Sequence, residues 1–328
     1  MINIMNLDLK DRKILYELDL DSRQSYQELG KKVGLSKEVV NYRTSKMIDE
    51  KIIRSFYTRI DSGKLGLLSF RTFLRLQDLT PEKKDEIVNY IFSHNRVGWG
   101  VLVDGNWDIN FMYWADTIEE FSNFYKTFLA KFGSSLEKKW ISIYNGFIEF
   151  PKTFLLHKTR NERISGYNYY FGREKIVTPK EIKILSLLSS NSRIKTIDIA
   201  KEIDLTPKAV AYKIKELEKK KVIIGYGVNL SLDKLGIQYY KLHLNFKDYD
   251  PKKIDQILEF CRRDSRIMYV NDFTGGSDME IDIYVKNNIE YHEILDEIRY
   301  KFAKLIKNFE TLQYYKEVKY NLFPREIN

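Results

Sequence analysis

The chain contains itself twice. Asp21-Ser22-Arg23 returns as Asn191-Ser192-Arg193, and the offset of 170 residues holds on either side of that match. Lys13-Ile14-Leu15 falls on Lys183-Ile184-Leu185, Tyr42-Arg43 on Tyr212-Lys213, and Lys64-Leu65-Gly66 on Lys234-Leu235-Gly236. From Asp8 to Gly66, 16 of 59 positions are identical without an insertion. Solenoid units repeat every ~20–50 residues. A period of 170 residues is instead a duplicated module of domain size. Any fold assigned to one half must therefore be buildable twice.

Composition narrows the setting. A chain of 328 residues has room for several cores, at about 100–200 residues per domain. No apolar run approaches the ~18 residues that cross a bilayer. Met1 to Lys10 lacks the basic, apolar and small-residue order of a secretory signal. A cytoplasmic location without membrane contact is the expectation. Cys261 is the only cysteine, so no intrachain disulfide forms, and it reads as a small core hydrophobe on a helix. The net charge of +9 suits a nucleic-acid partner but does not decide it, since many Lys-rich chains bind none.

Each copy opens with three helices. The first runs from about Leu9 to Leu18 and from Pro179 to Leu188. Thr178-Pro179-Lys180-Glu181 carries a cap hydroxyl, a proline at the first helical position and a glutamate that reaches back. Ser25-Tyr26-Gln27-Glu28 starts the second helix in the same way. Gly34-Leu35 and Asp204-Leu205 make a tight turn, and Ser36 and Thr206 start the third helix. Two short helices, a turn and a third helix form a helix-turn-helix. One side of the third helix is apolar (Val39, Val40, Met47; Val210, Ile214, Leu217). The other is polar and basic, with Ser36, Lys37, Asn41, Tyr42, Arg43 and Lys46 in copy one and Thr206, Lys208, Tyr212, Lys213 and Lys215 in copy two. A helix in the major groove needs such a face, with Lys and Arg for phosphates and guanine edges and Asn for adenine. A solvated helix face uses the same residues. The position just after the turn, and the recurrence in both copies, favour contact with double-stranded DNA.

Beyond Gly66 the period changes to two. Phe70, Thr72, Leu74 and Leu76 alternate with Arg71, Phe73 and Arg75, which predicts a strand. A helix after Pro81, two strands around Asp104-Gly105-Asn106, a helix over Ile118–Phe132 and a last strand complete β-α-β-β-α-β, a ferredoxin-like order. The second copy repeats it around Thr274-Gly275-Gly276-Ser277. The fold class is α+β, two copies of a winged-type helix-turn-helix followed by a ferredoxin-like domain. The expected divisions are 1–62 and 63–150, a basic aromatic linker at 151–177, then 178–232 and 233–328. Four strands with helices on one side leave an apolar face open, and the other unit of the same chain is the expected partner.

The stretches RQSYQELGKKVGLSKEVVNYR (Arg23 to Arg43) and LTPKAVAYKIKELEKKKVIIGYGVNLSLDKLG (Leu205 to Gly236) resemble the Lrp/AsnC family of feast/famine transcription regulators, in tandem. The resemblance covers nearly the whole chain, twice. It implies that the third helix of each copy reads DNA. It also implies that a Gly-x-x-Asp loop binds a small amino-acid-like effector at the interface between ligand domains. Here that loop is Gly105-Asn106-Trp107-Asp108 and Gly275-Gly276-Ser277-Asp278. Backbone N–H groups in such a turn hold a carboxylate and Asp holds an ammonium, although a plain hairpin uses the same residues. Trp107 is bulky enough to fill or close the site.

The chain departs from the family in three ways. Relatives carry one copy and dimerise or form rings. Lys51 and Lys221 stand where a Gly is usual. The reading helices differ, Asn41 against Ala211 and Thr44-Ser45-Lys46 against Ile214-Lys215-Glu216. These differences predict an intrachain pseudo-dimer, with or without homodimerisation, reading an asymmetric site. In the linker, Lys152, Lys158, Arg160, Arg163, Arg173 and Lys175 outnumber Glu162 and Glu174. Tyr167 to Phe171 reads as a strand packed on a neighbour, or the segment as a phosphate-contacting arm.

An enzyme is the main competitor, because siroheme decarboxylases resemble this family, fused pairs included. Such chemistry wants histidines or arginines in the ligand domains. His94, His157, His243 and His292 have no histidine at the equivalent position of the other copy and no metal-ligand spacing. There is no Walker loop and no nucleophile elbow. No catalytic residue, metal or cofactor is expected. A weakly specific architectural DNA binder is the third reading, separable from a regulator by its ratio of specific to non-specific affinity.

Overall fold

The structure, a computed structural model, describes residues 7–156, 166–170, 174–321 and 323–324. In the first copy α1 (Leu9–Leu20), α2 (Tyr26–Val33) and α3 (Lys37–Asp49) lead into β1 (Ile53–Ile60). There follow β2 (Leu68–Leu76), α4 (Pro81–Ser93), β3 (Val97–Asp104), β4 (Ile109–Ala115), α5 (Ile118–Phe132) and the long β5 (Leu136–Glu149). After the linker strand β6 (Tyr167–Tyr170), the order returns as α6 (Pro179–Ser190), α7 (Thr196–Ile203), α8 (Pro207–Lys219) and β7 (Ile223–Leu230). The second sheet unit is β8 (Gln238–Phe246), α9 (Pro251–Arg263), β9 (Ile267–Thr274), β10 (Met279–Val285), α10 (Asn288–Lys301) and β11 (Ile306–Tyr320).

Local chemistry sets the helix starts. Ser25 with Glu28 and Thr178 with Glu181 form the reciprocal capping boxes their sequences predict, and Asp8 with Asp11 forms a third. The α2–α3 turn needs a left-handed residue, Gly34 at φ +69° in copy one. Copy two uses Asp204 at φ +53°, and Asp is among the few side chains that tolerate this region.

The two three-helix heads are interwoven. β1 pairs antiparallel with β7, Tyr57 opposite Gly227, and these are repeat-equivalent positions. A pseudo-twofold axis therefore passes through that pair. It also passes between Ser22 and Ser192, whose hydroxyls lie 2.6 Å apart. Across the axis the Arg23 guanidinium donates to the Ser192 carbonyl, and Arg193 donates to that of Ser22. Each first helix packs on the other copy's strand, α1 on β7 and α6 on β1. Thr58 of β1 donates to the Leu188 carbonyl of α6 at 2.8 Å.

The two sheets close on each other. Hydrogen-bonded neighbours run β2-β4-β3-β11-β8-β10-β9-β5, and β5 pairs back to β2, giving an eight-stranded antiparallel barrel. The long last strands make the closure. The first half of β5 pairs with β2 and its second half crosses to β9, while β11 pairs with β8 and then β3. The helices cover the outside in two apolar clusters, one around Phe111 and Phe128 and one around Leu244 and Ile298. β2 is consequently buried on both faces, Phe70 toward the helices and Phe73 toward the barrel interior.

Heads, barrel and linker meet at a buried charge cluster. Arg59 of β1, fully buried, donates to Glu149 at 2.7 Å and to Asp19 at 3.4 Å, and Lys152 donates to Asp19 at 2.6 Å. The Tyr57 and Tyr169 hydroxyls each donate a hydrogen bond to Glu149. Lys152 is thus tied inside the protein rather than available to phosphate. β6 pairs with the end of β5, so this part of the linker is a packed strand; Lys158, Arg160, Arg163 and Arg173 lie outside the described residues. Cys261 is buried on α9. Among the described residues no helix is long and apolar enough to cross a membrane.

Candidate functional site

Each third helix is held by its inner face. Val40, Thr44 and Met47 of α3 are buried, as are Val210, Ile214 and Leu217 of α8. Ser36 and Thr206 are N-caps whose hydroxyls accept from Val39 and Ala209 N–H. Arg43 departs from the expectation of a DNA contact. It is half-buried and its guanidinium binds Asp8 at 2.7 Å and Asp11 at 2.9 Å on α1. The equivalent Lys213 is half-buried 3.9 Å from Glu181 of α6. Both cations thus lie against the first helix of their own head and stay partly exposed, at 27% and 29%.

Lys37, Asn41, Tyr42 and Lys46 remain exposed on α3, and Lys208, Tyr212 and Lys215 on α8. Tyr42 and Tyr212 keep 69% and 65% of their surface open, at the same position of each copy. Among the described residues Lys46 pairs only with the exposed Glu50 at 3.8 Å, a pair too weakly held to occupy it. Val39, read as core, is 39% exposed and adds an apolar group that suits a thymine methyl.

The Gly-x-x-Asp hairpins are committed to the fold. Asp108 accepts from the Leu76 N–H at 2.8 Å and lies 3.5 Å from Arg75. Asp278 accepts from the Phe246 N–H at 2.6 Å. Both carboxylates latch the β-hairpin to the first strand of its unit, which leaves them poorly placed for a ligand ammonium. Gly105 and Gly275 adopt φ of +126° and +81°, conformations that favour glycine. Trp107 fills the space beside its loop, packed on Phe73 and Trp140.

The barrel interior holds polar groups the sequence did not single out. Lys241 donates to Glu280 at 2.8 Å and Asp282 at 3.0 Å. Asn271 bridges Tyr144 and Asp282. Burial would raise the Glu280 carboxyl, but Lys241, His243 and Arg71 hold it down at about 2. His243 sits between Glu280 at 3.6 Å and Glu310 at 3.3 Å, edge-on to Phe73 and Trp140. Where barrel and heads meet there is a cavity of about 170 Å³, lined among others by Arg54, Gln313 and Glu317. Burial pushes Glu317 up to about 7 despite Arg54 at 3.2 Å. Among the described residues no group of three or more His, Cys, Asp and Glu side chains could hold a metal ion.

Comparison with known proteins fits this architecture. A winged helix-turn-helix DNA-binding family model matches residues 7–54 and again 178–224. A helix-turn-helix transcriptional regulator of Pyrococcus abyssi is 32% identical over 105 residues, 32% of this chain and 70% of the relative. The regulatory protein AsnC of Haemophilus influenzae is 29% identical over 115 residues, 35% of this chain and 76% of AsnC. The chain belongs to the Lrp/AsnC family of transcription regulators. Within that family frame it is a tandem form, since the helix-turn-helix model matches twice. The siroheme decarboxylase NirDL superposes over 96% of this chain and 94% of its own, with a TM-score of 0.63 and 13% identity. At that identity the likeness is one of fold.

Proposed function

We propose that this protein is a sequence-specific DNA-binding transcription regulator whose two unequal reading helices, α3 and α8, contact adjacent half-sites. The observation that carries this reading is the pair of exposed tyrosines, Tyr42 and Tyr212, flanked by lysines on helices anchored from behind. Lys37, Lys46, Lys208 and Lys215 serve phosphates, Asn41 and Val39 base edges, and the tyrosines the sugar-phosphate backbone. Because Asn41 is matched by Ala211, the half-sites differ. Such a reader works where the chromosome lies, in the cytoplasm of a bacterial or archaeal cell.

Selection of genomic fragments by the purified protein at near-physiological salt tests this. A few sites sharing a bipartite, non-palindromic motif are expected. A perfect inverted repeat overturns the asymmetry, and no enrichment overturns the reader. Alanine at any one of the four lysines should lower the slope of log affinity against log salt by about 1. Asn41→Ala should instead relax preference at one base pair.

A second reading, a tetrapyrrole-transforming enzyme, is favoured by one observation, the two-copy architecture shared with NirDL. The cavity of about 170 Å³ under the heads is smaller than the ~300–1,000 Å³ of clefts that hold drug-sized ligands, whereas a cleft of about 310 Å³ beside β5, β6 and α9 falls at the low end of that range. A visible spectrum after incubation with an iron tetrapyrrole separates the readings, since an enzyme of this kind takes up colour and a regulator does not.

A further inference from the structure

The repeat makes Arg71 and Lys241 equivalent, yet their surroundings differ. Lys241 of β8 faces Asp282 across the β8–β10 pair and is held by both Asp282 and Glu280. The matching positions in copy one are Met112 and Asn110. Met112 lies directly across from Arg71, and Asn110 donates to the Tyr314 hydroxyl. Arg71 is 4% exposed, and among the described residues the carboxylate it pairs with is one it shares with Lys241. Its nearest acid, Glu280, is 3.7 Å away and engaged by Lys241. Its guanidinium makes no hydrogen bond among the described residues, its Nε is buried without an acceptor, and Trp99, Tyr144 and Phe273 surround it. A buried cation in this state is costly unless an anion joins it.

There is room for one. Arg71 lines a cavity of about 70 Å³. It shares Tyr239, Tyr269, Tyr284, Glu317 and Tyr320 with the cavity of about 170 Å³ under the heads. One water needs ~10–15 Å³ measured this way, so the two adjoining spaces take a molecule of several heavy atoms. Trp99 and Phe147 line the smaller cavity as well; they are the repeat equivalents of Tyr269 and Glu317, so this space lies between the two copies.

We propose that these adjoining cavities bind one small organic carboxylate, the carboxylate on Arg71 and the polar remainder against Glu317 and the tyrosine hydroxyls. A guanidinium presents paired donors that match both carboxylate oxygens. The ligand would touch β7 and Arg54 of the heads as well as the barrel, so occupancy couples the two layers. The site itself stands apart from the Gly-x-x-Asp hairpins; only its effect on DNA rests on the regulator reading.

The test uses the full chain, calorimetric titration and a panel of amino acids, 2-oxo acids and dicarboxylates. At least one should bind at millimolar affinity or tighter. Arg71→Met should weaken it at least tenfold while the variant keeps a cooperative thermal unfolding transition, since Glu280 retains Lys241 at 2.8 Å. Met112→Asp, which supplies Arg71 with the carboxylate that Lys241 has, should block binding without removing the cation. No binding by any member, or unchanged binding in Arg71→Met, overturns the proposal. So does binding of an iron tetrapyrrole alone. DNA affinity is measured on the same samples. Ligand silence with intact DNA binding sinks the site and spares the reader, and the reverse sinks the reader and spares the site.

Discussion

Lys51 and Lys221 show how a single residue type stores strain. Each follows a reading helix with φ near +60° (60° and 57°), where an L side chain costs ~1–2 kcal/mol relative to the right-handed region. Gly pays back part of that through unfolded-state entropy. Lys51→Gly and Lys221→Gly should each stabilise by about 0.5–1 kcal/mol, read as a higher thermal midpoint. Glu317 makes a second, pH-dependent case. Burial raises its carboxyl from near 4.5 to about 7, so the folded protein binds a proton the unfolded chain releases. That contribution is complete below pH ~4.5 and is lost as pH rises through 7, worth up to about 3 kcal/mol. Glu149 and Glu280 act in the opposite sense. Burial alone would raise Glu149, but Arg59 and Lys152 bring it to about 2, and Glu280 lies there too. Their contribution is present above pH ~4.5 and fades toward pH 2. Glu317→Gln should flatten the stability loss between pH 4.5 and 7 while leaving the acid limb; a curve that still falls between those values would contradict it.

At the scale of elements, helices were more legible than sheets. Ser25–Glu28 and Thr178–Glu181 name their helices because caps are local chemistry. The tie from Arg43 to α1 is non-local and so not visible along one helix, although the repeat carries the clue: position 11/181 is acidic and 43/213 basic in both copies. The closure of the barrel was not visible in β2. Its alternation marks two faces, and only β5 crossing to β9 makes the face bearing Arg71 an interior. The Asp of the hairpin loops was ambiguous from the start, since a latch and a ligand site use the same residue. The joint between elements yields its own prediction. Removing Arg59 leaves Asp19 and Glu149 buried with Lys152 as their one cation among the described residues. Arg59→Met should cost about 3–5 kcal/mol, measured by denaturant unfolding. Adding Glu149→Gln should recover part of it, because the stranded charge then goes with its partner.

For the molecule as a whole, the decisive fact is that the two heads are one body. β1–β7 pairing, the Ser22–Ser192 contact and the crossed Arg23 and Arg193 bonds fix α3 and α8 about one pseudo-twofold axis. A dimer of single-copy chains must be identical on both sides; the tandem chain keeps the geometry and is free to vary the residues. That freedom appears in Asn41 against Ala211 at the reading surface and in Arg71 against Lys241 inside the barrel. Rigid heads make a geometric demand on DNA. Twofold-related reading helices meet half-sites about 10–10.5 base pairs apart or at multiples of that. Inserting about 5 base pairs between the half-sites turns one to the far side of the duplex, and affinity should fall to that of a single head. Inserting about 10 restores the facing but not the distance, and should recover affinity only as far as the DNA bends to meet the second head. A gel-shift series across insertion lengths reads this directly. Equal affinity at every spacing would mean that only one head engages DNA, or that the pairing of β1 with β7 opens when it does.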